Sequence, residues 1–229
     1  MFKLNDVWGM IVQPAKTIER VIKTKTLKSA VFVLILFVTF HFVSKFVISK
    51  SFYASTLNEE RLITLSLINF LIVLFYWFIG YSLIHIVSIS LKGKGSYIHL
   101  LIAGAYISVI GLPFKISYTL GMHTTTTEGV VINCVFETIF GLFSPCLQLI
   151  NQIGIFLNKW GSITSSLGLK VYFLVYMWIL AVVILAIKKV YQFSLKRALI
   201  SFIVSFIIFS ILVNILESVV IEPLVRNIL

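Results

Sequence analysis

Charged residues are scarce in this chain of 229 residues, and acidic residues are the scarcest of them. Asp, Glu, Lys and Arg together make up 12% of the sequence, whereas soluble domains carry about 25%. Hydrophobic residues make up 59%, above the roughly 45–50% of soluble domains. No polar linker long enough to separate two domains is present. This composition excludes an ordinary water-soluble domain and predicts one bundle folded in a lipid bilayer.

The shortage of acidic side chains leaves a formal net charge of +11. No RNA- or DNA-binding motif accompanies that charge, and the Lys and Arg residues cluster at the ends of apolar runs. Basic residues in such positions set the topology of membrane helices and contact anionic headgroups. We therefore expect anionic lipids at the cytoplasmic face as partners, and no nucleic acid.

Cysteine is also rare, with Cys134 and Cys146 as the two in the chain. On one helix they would lie roughly 18 Å apart, too far for a disulfide. A helix broken at Pro145 would bring them closer, so buried free thiols are the favoured interpretation and a bridge is the alternative. Neither lies at metal-ligand spacing from a histidine. The first 28 residues lack the continuous apolar core of a cleavable signal peptide.

Long apolar stretches are what the sequence does contain. Leu62–Leu91 holds no Asp, Glu, Lys or Arg, and at a helical rise of about 1.5 Å per residue it exceeds the roughly 30 Å of hydrocarbon in a bilayer. Four more stretches come close to this standard. The sequence therefore predicts an all-α polytopic transmembrane bundle with five spans: Ala30–Ile48, Leu62–Leu91, Tyr97–Leu120, Leu169–Ile187 and Ala198–Val220.

The N-terminal segment before the first span is basic and amphipathic rather than spanning. Pro14 suits the first turn of a helix, on which Ile18, Val21 and Ile22 share one face. We expect an interfacial helix that lies on a headgroup surface, with Trp8 as its anchor. A disordered basic tail is the alternative.

The segment between the third and fourth spans, residues 121–168, carries a polar stripe. Thr125 and Glu128 stand at capping-box spacing, and polar residues recur every three or four positions along the apolar run that follows. A spanning helix exposed to lipid should not carry such a stripe. We expect outer amphipathic helices that are interfacial or re-entrant, and a full crossing by residues 129–157 stays open.

The distribution of Lys and Arg predicts the orientation. With five spans, the cytoplasmic segments hold more of these residues than the outer segments do, as the positive-inside rule requires. A sixth span would place the basic residues 188–197 outside. We therefore predict a multi-pass protein of the plasma membrane, with residues 1–28 as a cytoplasmic segment, residues 29–229 as one membrane domain, and an outer C-terminus.

The order and spacing of several features resemble the Yip family of integral membrane proteins over roughly residues 8–215. These features are a proline in a basic N-terminal segment, a tight turn between the second and third spans, and short elements along the last three spans. The residues that carry the resemblance are Pro14, Ile18, Gly93-Lys94-Gly95-Ser96-Tyr97, Ala105-Tyr106, Pro113, Trp178 and Lys196-Arg197-Ala198.

The resemblance implies a compact five-helix bundle with a cytoplasmic N-terminus and without a catalytic reaction. Eukaryotic members tend to have a longer N-terminal region for trafficking partners. This chain has about 28 residues there and looks more similar to bacterial members. Some bacterial members accompany ABC-type exporters and antimicrobial-peptide defence.

Motifs of catalysis and cofactor binding are missing from the sequence. It contains no G-x-S-x-G, H-E-x-x-H, Walker A or G-x-G-x-x-G pattern, so we expect no catalytic, cofactor-binding or metal-binding residues. His85 and His99 flank the turn between the second and third spans and offer no third metal ligand. Rings hydrogen-bonded near the interface are the favoured interpretation.

Two groups of candidate residues remain. Ionisable and amide groups in the outer half are expected to pair in a polar cluster, and snorkelling to the headgroups is the alternative; this cluster comprises Lys45, Lys115, Asn133, Glu137, Asn214 and Glu217. The second group consists of residues that allow a tight turn or close helix packing, namely Gly93, Gly95, Gly104 and Pro113.

The sequence therefore predicts a non-enzymatic membrane protein that acts by binding other integral membrane proteins. Components of an ABC-type export or peptide-resistance system are the expected partners in a bacterium. A small transporter or channel subunit is the alternative, and the outer polar residues supply half of the polar path that it requires.

Overall fold

The computed structural model describes residues 4–53, 59–110, 167–221 and 223, and these ranges are helical without strands. The all-α prediction is confirmed for this part of the chain. The elements are α1 (Leu4–Val12), α2 (Pro14–Thr24), α3 (Leu27–Tyr53), α4 (Glu59–Ser90), α5 (Tyr97–Ile110), α6 (Leu167–Tyr191) and α7 (Leu195–Leu216), which ends in a π-helical turn, Glu217–Ile221.

Two stretches in the described residues are long and apolar enough to cross a membrane. They are Ser66–Ser90 within α4 and Leu195–Ile221, which extends α7 through the π-helical turn. Leu27–Phe40 in α3 and Tyr97–Ile110 in α5 are shorter apolar helices. As far as they are described, α3 to α7 overlap the five predicted spans, and the number of membrane crossings stays a prediction. The outer amphipathic segment, residues 121–168, lies outside the described residues except for its last two residues, which begin α6.

Helices α4 and α7 pack against each other in antiparallel directions. The hydroxyls of Ser88 and Ser201 are hydrogen-bonded at 2.7 Å, and further along the pair the rings of Tyr76 and Phe209 meet edge to face with centroids 5.9 Å apart. Residues later in α7 therefore contact residues earlier in α4, as in an antiparallel pair. Pairing of the serine hydroxyls satisfies two buried polar groups inside the bundle.

Helix α5 fits closely against α4 because its central residues are small. Gly104 lies beneath Tyr81, and a Cβ at Gly104 would stand only 2.7 Å from Cε1 of that ring. One turn further along, Trp77 Nε1 donates a hydrogen bond to Ser108 Oγ at 3.1 Å. These small residues of α5 are buried inside the chain's own bundle, so they serve internal packing rather than contact with a partner.

The outward faces of three helices are apolar and exposed. Soluble monomers rarely expose contiguous apolar surface on this scale, whereas lipid hydrocarbon covers it without cost. The exposed side chains include Val31, Phe32, Ile35 and Leu36 of α3, Leu67, Leu71, Phe75 and Phe78 of α4, and Leu199, Ile203, Ile207 and Ile211 of α7.

Substitution of Gly104 by alanine tests the contact between α4 and α5. The added methyl group has to displace the Tyr81 ring, so we expect Gly104→Ala to lower the free energy of unfolding by about 1–3 kcal/mol, as overpacking does. Unfolding in mixed micelles measures this effect. Combined with Tyr81→Leu, Gly104→Ala should cost less than it does alone; purely additive costs would contradict the assignment.

Candidate functional site

The turn between α4 and α5 ends α4 with a left-handed residue. Lys92 has a φ of 63°, and its N–H donates to the carbonyl of Ile89 at 2.8 Å. The N–H of Gly93 then donates to the carbonyl of Ser88 at 2.9 Å. This pair of bonds is the Schellman motif, which satisfies the last carbonyls of a helix.

Helix α6 ends with a left-handed residue as α4 does. Gln192 has a φ of 57°, and the N–H of Phe193 donates to the carbonyl of Lys188 at 3.0 Å. The two turns are joined directly, because the N–H of Lys94 donates to the carbonyl of Tyr191 at 3.4 Å. The ends of four helices are therefore held together at one end of the bundle.

Gly93 and Gly95 provide space at this junction. A Cβ at Gly95 would lie 2.7 Å from the backbone oxygen of Val190, and one at Gly93 would lie 2.8 Å from Cζ of Phe193. No glycine in the described ranges has a positive φ, and the left-handed residue of this turn is Lys92. The glycines are thus required for close approach of the two turns rather than for their backbone angles.

His85 ties α4 to α5 and α6 beneath the two turns. Its Nδ1 is hydrogen-bonded to the Tyr191 hydroxyl at 2.6 Å. The centroid of its ring lies 5.2 Å from the centroid of the Tyr97 ring. The Tyr97 hydroxyl is in turn hydrogen-bonded to Ser82 Oγ at 2.8 Å. His99 is exposed instead, and the described residues contain no group of three side chains suited to a metal ion.

The N-terminal helices α1 and α2 lie against this end of the bundle. Pro14 occupies the first turn of α2 as expected, and Ile18 and Val21 are fully buried. However, α2 packs against α5 and α6, so the chain itself covers the apolar face that we expected on a headgroup surface. Trp8 on α1 remains exposed at 65%.

A buried carboxylate fixes α1 to α2. Asp6 is almost inaccessible, and its two oxygens lie 2.9 Å from Arg20 Nη2 and 2.7 Å from Lys25 Nζ. Lys25 Nζ also lies 5.9 Å from the ring centroid of Tyr106. The two cations thereby compensate the desolvation of the Asp6 carboxylate, and the face of the Tyr106 ring stabilises the Lys25 ammonium.

A second carboxylate fixes α2 to α6. Glu19 lies 3.0 Å from Lys23 Nζ on its own helix and 3.1 Å from Lys189 Nζ on α6. The hydrogen bond from Lys23, followed by that from Lys189, holds the pKa of the Glu19 carboxyl below its usual value of 4.5. Neither ion pair was predicted from the sequence. The Glu19–Lys23 spacing is a local signal, whereas the partners of Asp6 and the Lys189 contact depend on the tertiary fold.

The remaining basic side chains at this end are not neutralised within the described part of the chain. No described carboxylate lies within ion-pair distance of any of them, and all but the half-buried Lys188 are exposed. We call this surface the basic end, and it comprises Lys16, Lys28, Lys92, Lys94, Lys188, Lys196 and Arg197.

The predicted outer polar cluster is described only in part. Asn214 is exposed, and its Nδ2 donates to the carbonyl of Ser210 at 2.7 Å. Glu217 begins the π-helical turn and is half-buried. Lys45 lies on α3, and its side chain is outside the described residues, so the cluster stays a prediction. Lys115, Asn133, Glu137, Pro113, Cys134 and Cys146 also lie outside the described ranges.

Acidification tests the Glu19 contact. Because the folded-state pKa is lowered, the stabilisation is present above pH 4.5 and is lost as the pH falls through the lowered value. We expect amide hydrogen exchange in α2, corrected for intrinsic rates, to accelerate in that range. Glu19→Gln should show faster exchange already at neutral pH and a weaker pH response, while the exposed Glu60→Gln control behaves like the native chain. Identical pH responses of Glu19→Gln and the native chain would refute the contact.

Comparison with known proteins identifies the family. A family model described as the Yip1 domain matches residues 8–215, which include α2 to α6 and nearly all of α7. No curated protein and no solved structure matches the chain. The matched range is nearly the whole sequence, and the exposed apolar faces of α3, α4 and α7 suit hydrocarbon. The chain therefore belongs to the Yip1 family of membrane proteins.

Proposed function

We propose that this protein acts without catalysis, by binding other integral membrane proteins through the outward face of α7. The observation that supports this proposal is the exposure of Asn214 on a helix long and apolar enough to span a membrane. The family is not known for enzymatic activity, which agrees with this kind of function.

The amide of Asn214 has unused hydrogen-bonding capacity. Its Nδ2 makes one bond to the carbonyl of Ser210, and a primary amide offers a second N–H and a carbonyl oxygen. On a surface that faces lipid no water meets these groups, and amide side chains in such positions bond across to neighbouring helices. The side chain is therefore suited to meet a polar group of a partner helix.

The neighbours of Asn214 form a row that suits helix packing. Ile207, Ile211 and Asn214 are all exposed and follow one another at intervals of four and three positions. This alternation is the spacing at which one helix interlocks with another, and a single polar residue in such a row fixes the register. The row thus offers a surface that packs against a second helix and one side chain that can form a hydrogen bond to it.

The partner we propose is a component of an ABC-type export or peptide-resistance system in the plasma membrane. The resemblance to bacterial Yip proteins supports this choice. The proposed orientation places the N-terminus and the basic end in the cytoplasm and the C-terminus outside, in agreement with the positive-inside rule.

A small transporter or channel subunit is the second candidate. Two buried polar atoms favour it: Tyr76 Oη and Glu217 Oε1 have no hydrogen-bond partner in the described residues. Such groups inside a membrane bundle mark polar paths in transporters. Solute flux in proteoliposomes that is lost in Glu217→Gln would favour this candidate over the first.

Photocrosslinking in intact cells tests the α7 contact. A benzophenone side chain at Ile211 should yield an adduct with a different integral membrane protein, identifiable by mass spectrometry. The matched control is Phe75 on α4, which is 52% exposed against 56% for Ile211 and should yield no such adduct. Asn214→Leu should reduce the Ile211 adduct roughly threefold to thirtyfold, since interhelical hydrogen bonds in membranes contribute about 0.6–2 kcal/mol.

Three results would contradict the proposal. They are equal adducts from the two positions, an unchanged Ile211 adduct in Asn214→Leu, and an adduct that contains only a second copy of this chain. The last result would assign the α7 face to self-association.

A further inference from the structure

The cations of the two turns stand on one rigid platform. Lys92 and Lys94 belong to the turn after α4, and Lys196 and Arg197 begin α7. All four are exposed. The hydrogen bond from the Lys94 N–H to the Tyr191 carbonyl joins the two turns, so an anion bound between them would order little backbone, which lowers the entropic cost of binding.

An abrupt change from apolar to basic surface indicates where these cations lie relative to the membrane. Ile89, Ile98 and Leu199 are exposed at 45%, 49% and 42%. They lie within four positions of Lys92, Lys94 and Arg197, respectively. Apolar side chains beside Lys and Arg are typical of the boundary where hydrocarbon meets headgroups. A ligand of this platform is therefore at the level of lipid phosphates.

The N-terminal helices leave the platform open while they neutralise the surface beside it. Asp6 pairs with Arg20 and Lys25, and Glu19 pairs with Lys23 and Lys189. No described carboxylate pairs with the four cations of the platform. Some cations at this end are thus neutralised by carboxylates of the chain itself, whereas the four platform cations require an external anion.

From these observations we infer that the platform of Lys92, Lys94, Lys196 and Arg197 binds the phosphate groups of anionic lipids in the adjoining leaflet. An acidic protein segment offers the same charge, but the apolar side chains at the same depth favour a ligand that supplies acyl chains together with the phosphate. This surface is separate from the α7 face and does not depend on the proposed function.

Native mass spectrometry of the full chain in a neutral detergent, titrated with phosphatidylglycerol or phosphatidylcholine, tests the inference. Phosphatidylglycerol should bind more tightly, and higher salt should weaken its binding. Each surface cation contributes about fivefold to binding of anionic lipid. Replacing all four platform residues by glutamine should therefore weaken binding by roughly six-hundredfold, while Lys23→Gln, which removes a cation already paired with Glu19, should change it less than twofold.

A variant with the opposite effect guards against misfolding as the explanation. Glu19→Gln releases Lys23 and Lys189 from their shared carboxylate, so phosphatidylglycerol should bind several-fold more tightly to this variant. An unfolded or damaged protein would not show such a gain.

The competing ligands give the results that would overturn the inference. Displacement of phosphatidylglycerol by millimolar inorganic phosphate would assign the platform to a soluble phosphate. Tighter binding of a polyglutamate peptide than of the lipid would assign it to an acidic protein. Equal affinity for the two lipids, or an unchanged affinity in the fourfold variant, would show that the platform binds no anion selectively.

Discussion

The absence of water around a membrane bundle is the constraint on which the described contacts depend. A polar group in hydrocarbon has to find its partner within the protein, because no solvent completes its hydrogen bonds. The hydroxyls of Ser88 and Ser201 meet each other, and the indole of Trp77 meets Ser108. His85 and Tyr191 do the same at the end of the bundle. Each of these bonds joins two helices, so the need for a partner also fixes the packing.

The helices and the turns could be predicted from the sequence because their signals are local. Uninterrupted apolar stretches predict α4 and α7, Pro14 predicts the start of α2, and the Gly93–Gly95 segment predicts the turn. The reason for the glycines was different from the expected one. The left-handed backbone falls on Lys92, and the glycines leave room for a second turn whose position depends on α6 and α7, far away in sequence.

The environment of an amphipathic face could not be predicted in the same way. The pattern of Ile18 and Val21 shows that one face of α2 is apolar, but lipid and a protein interior are equally apolar, so periodicity does not distinguish them. The structure covers that face with α5 and α6. The pairings of Asp6 and Glu19 were missed for a related reason. Arg20 and Lys25 reach Asp6, and Lys189 reaches Glu19, only through the tertiary packing of the helices. Asn214 is exposed, and the polar cluster predicted around it stays a prediction because most of its other members lie outside the described residues.

The two surfaces left unsatisfied by the fold lie near opposite ends of α7. Small residues and the paired serines Ser88 and Ser201 are used in packing inside the bundle, while the cations of the two turns and the amide of Asn214 face outward. From Leu195 to Asn214 the helix rises roughly 29 Å, about the thickness of the hydrocarbon layer. On the two proposals made above, the charge meets one leaflet and the lateral hydrogen-bonding group lies near the other.

Site-directed spin labelling in liposomes tests the central claim, that lipid hydrocarbon surrounds these helices and ends at the basic residues. Labels are introduced by Ile207→Cys and Lys94→Cys in a chain whose Cys134 and Cys146 are replaced by alanine. The account predicts that the Ile207 label is accessible to oxygen and shielded from a water-soluble nickel complex, while the Lys94 label shows the reverse. Access of the nickel complex to both labels alike would contradict it.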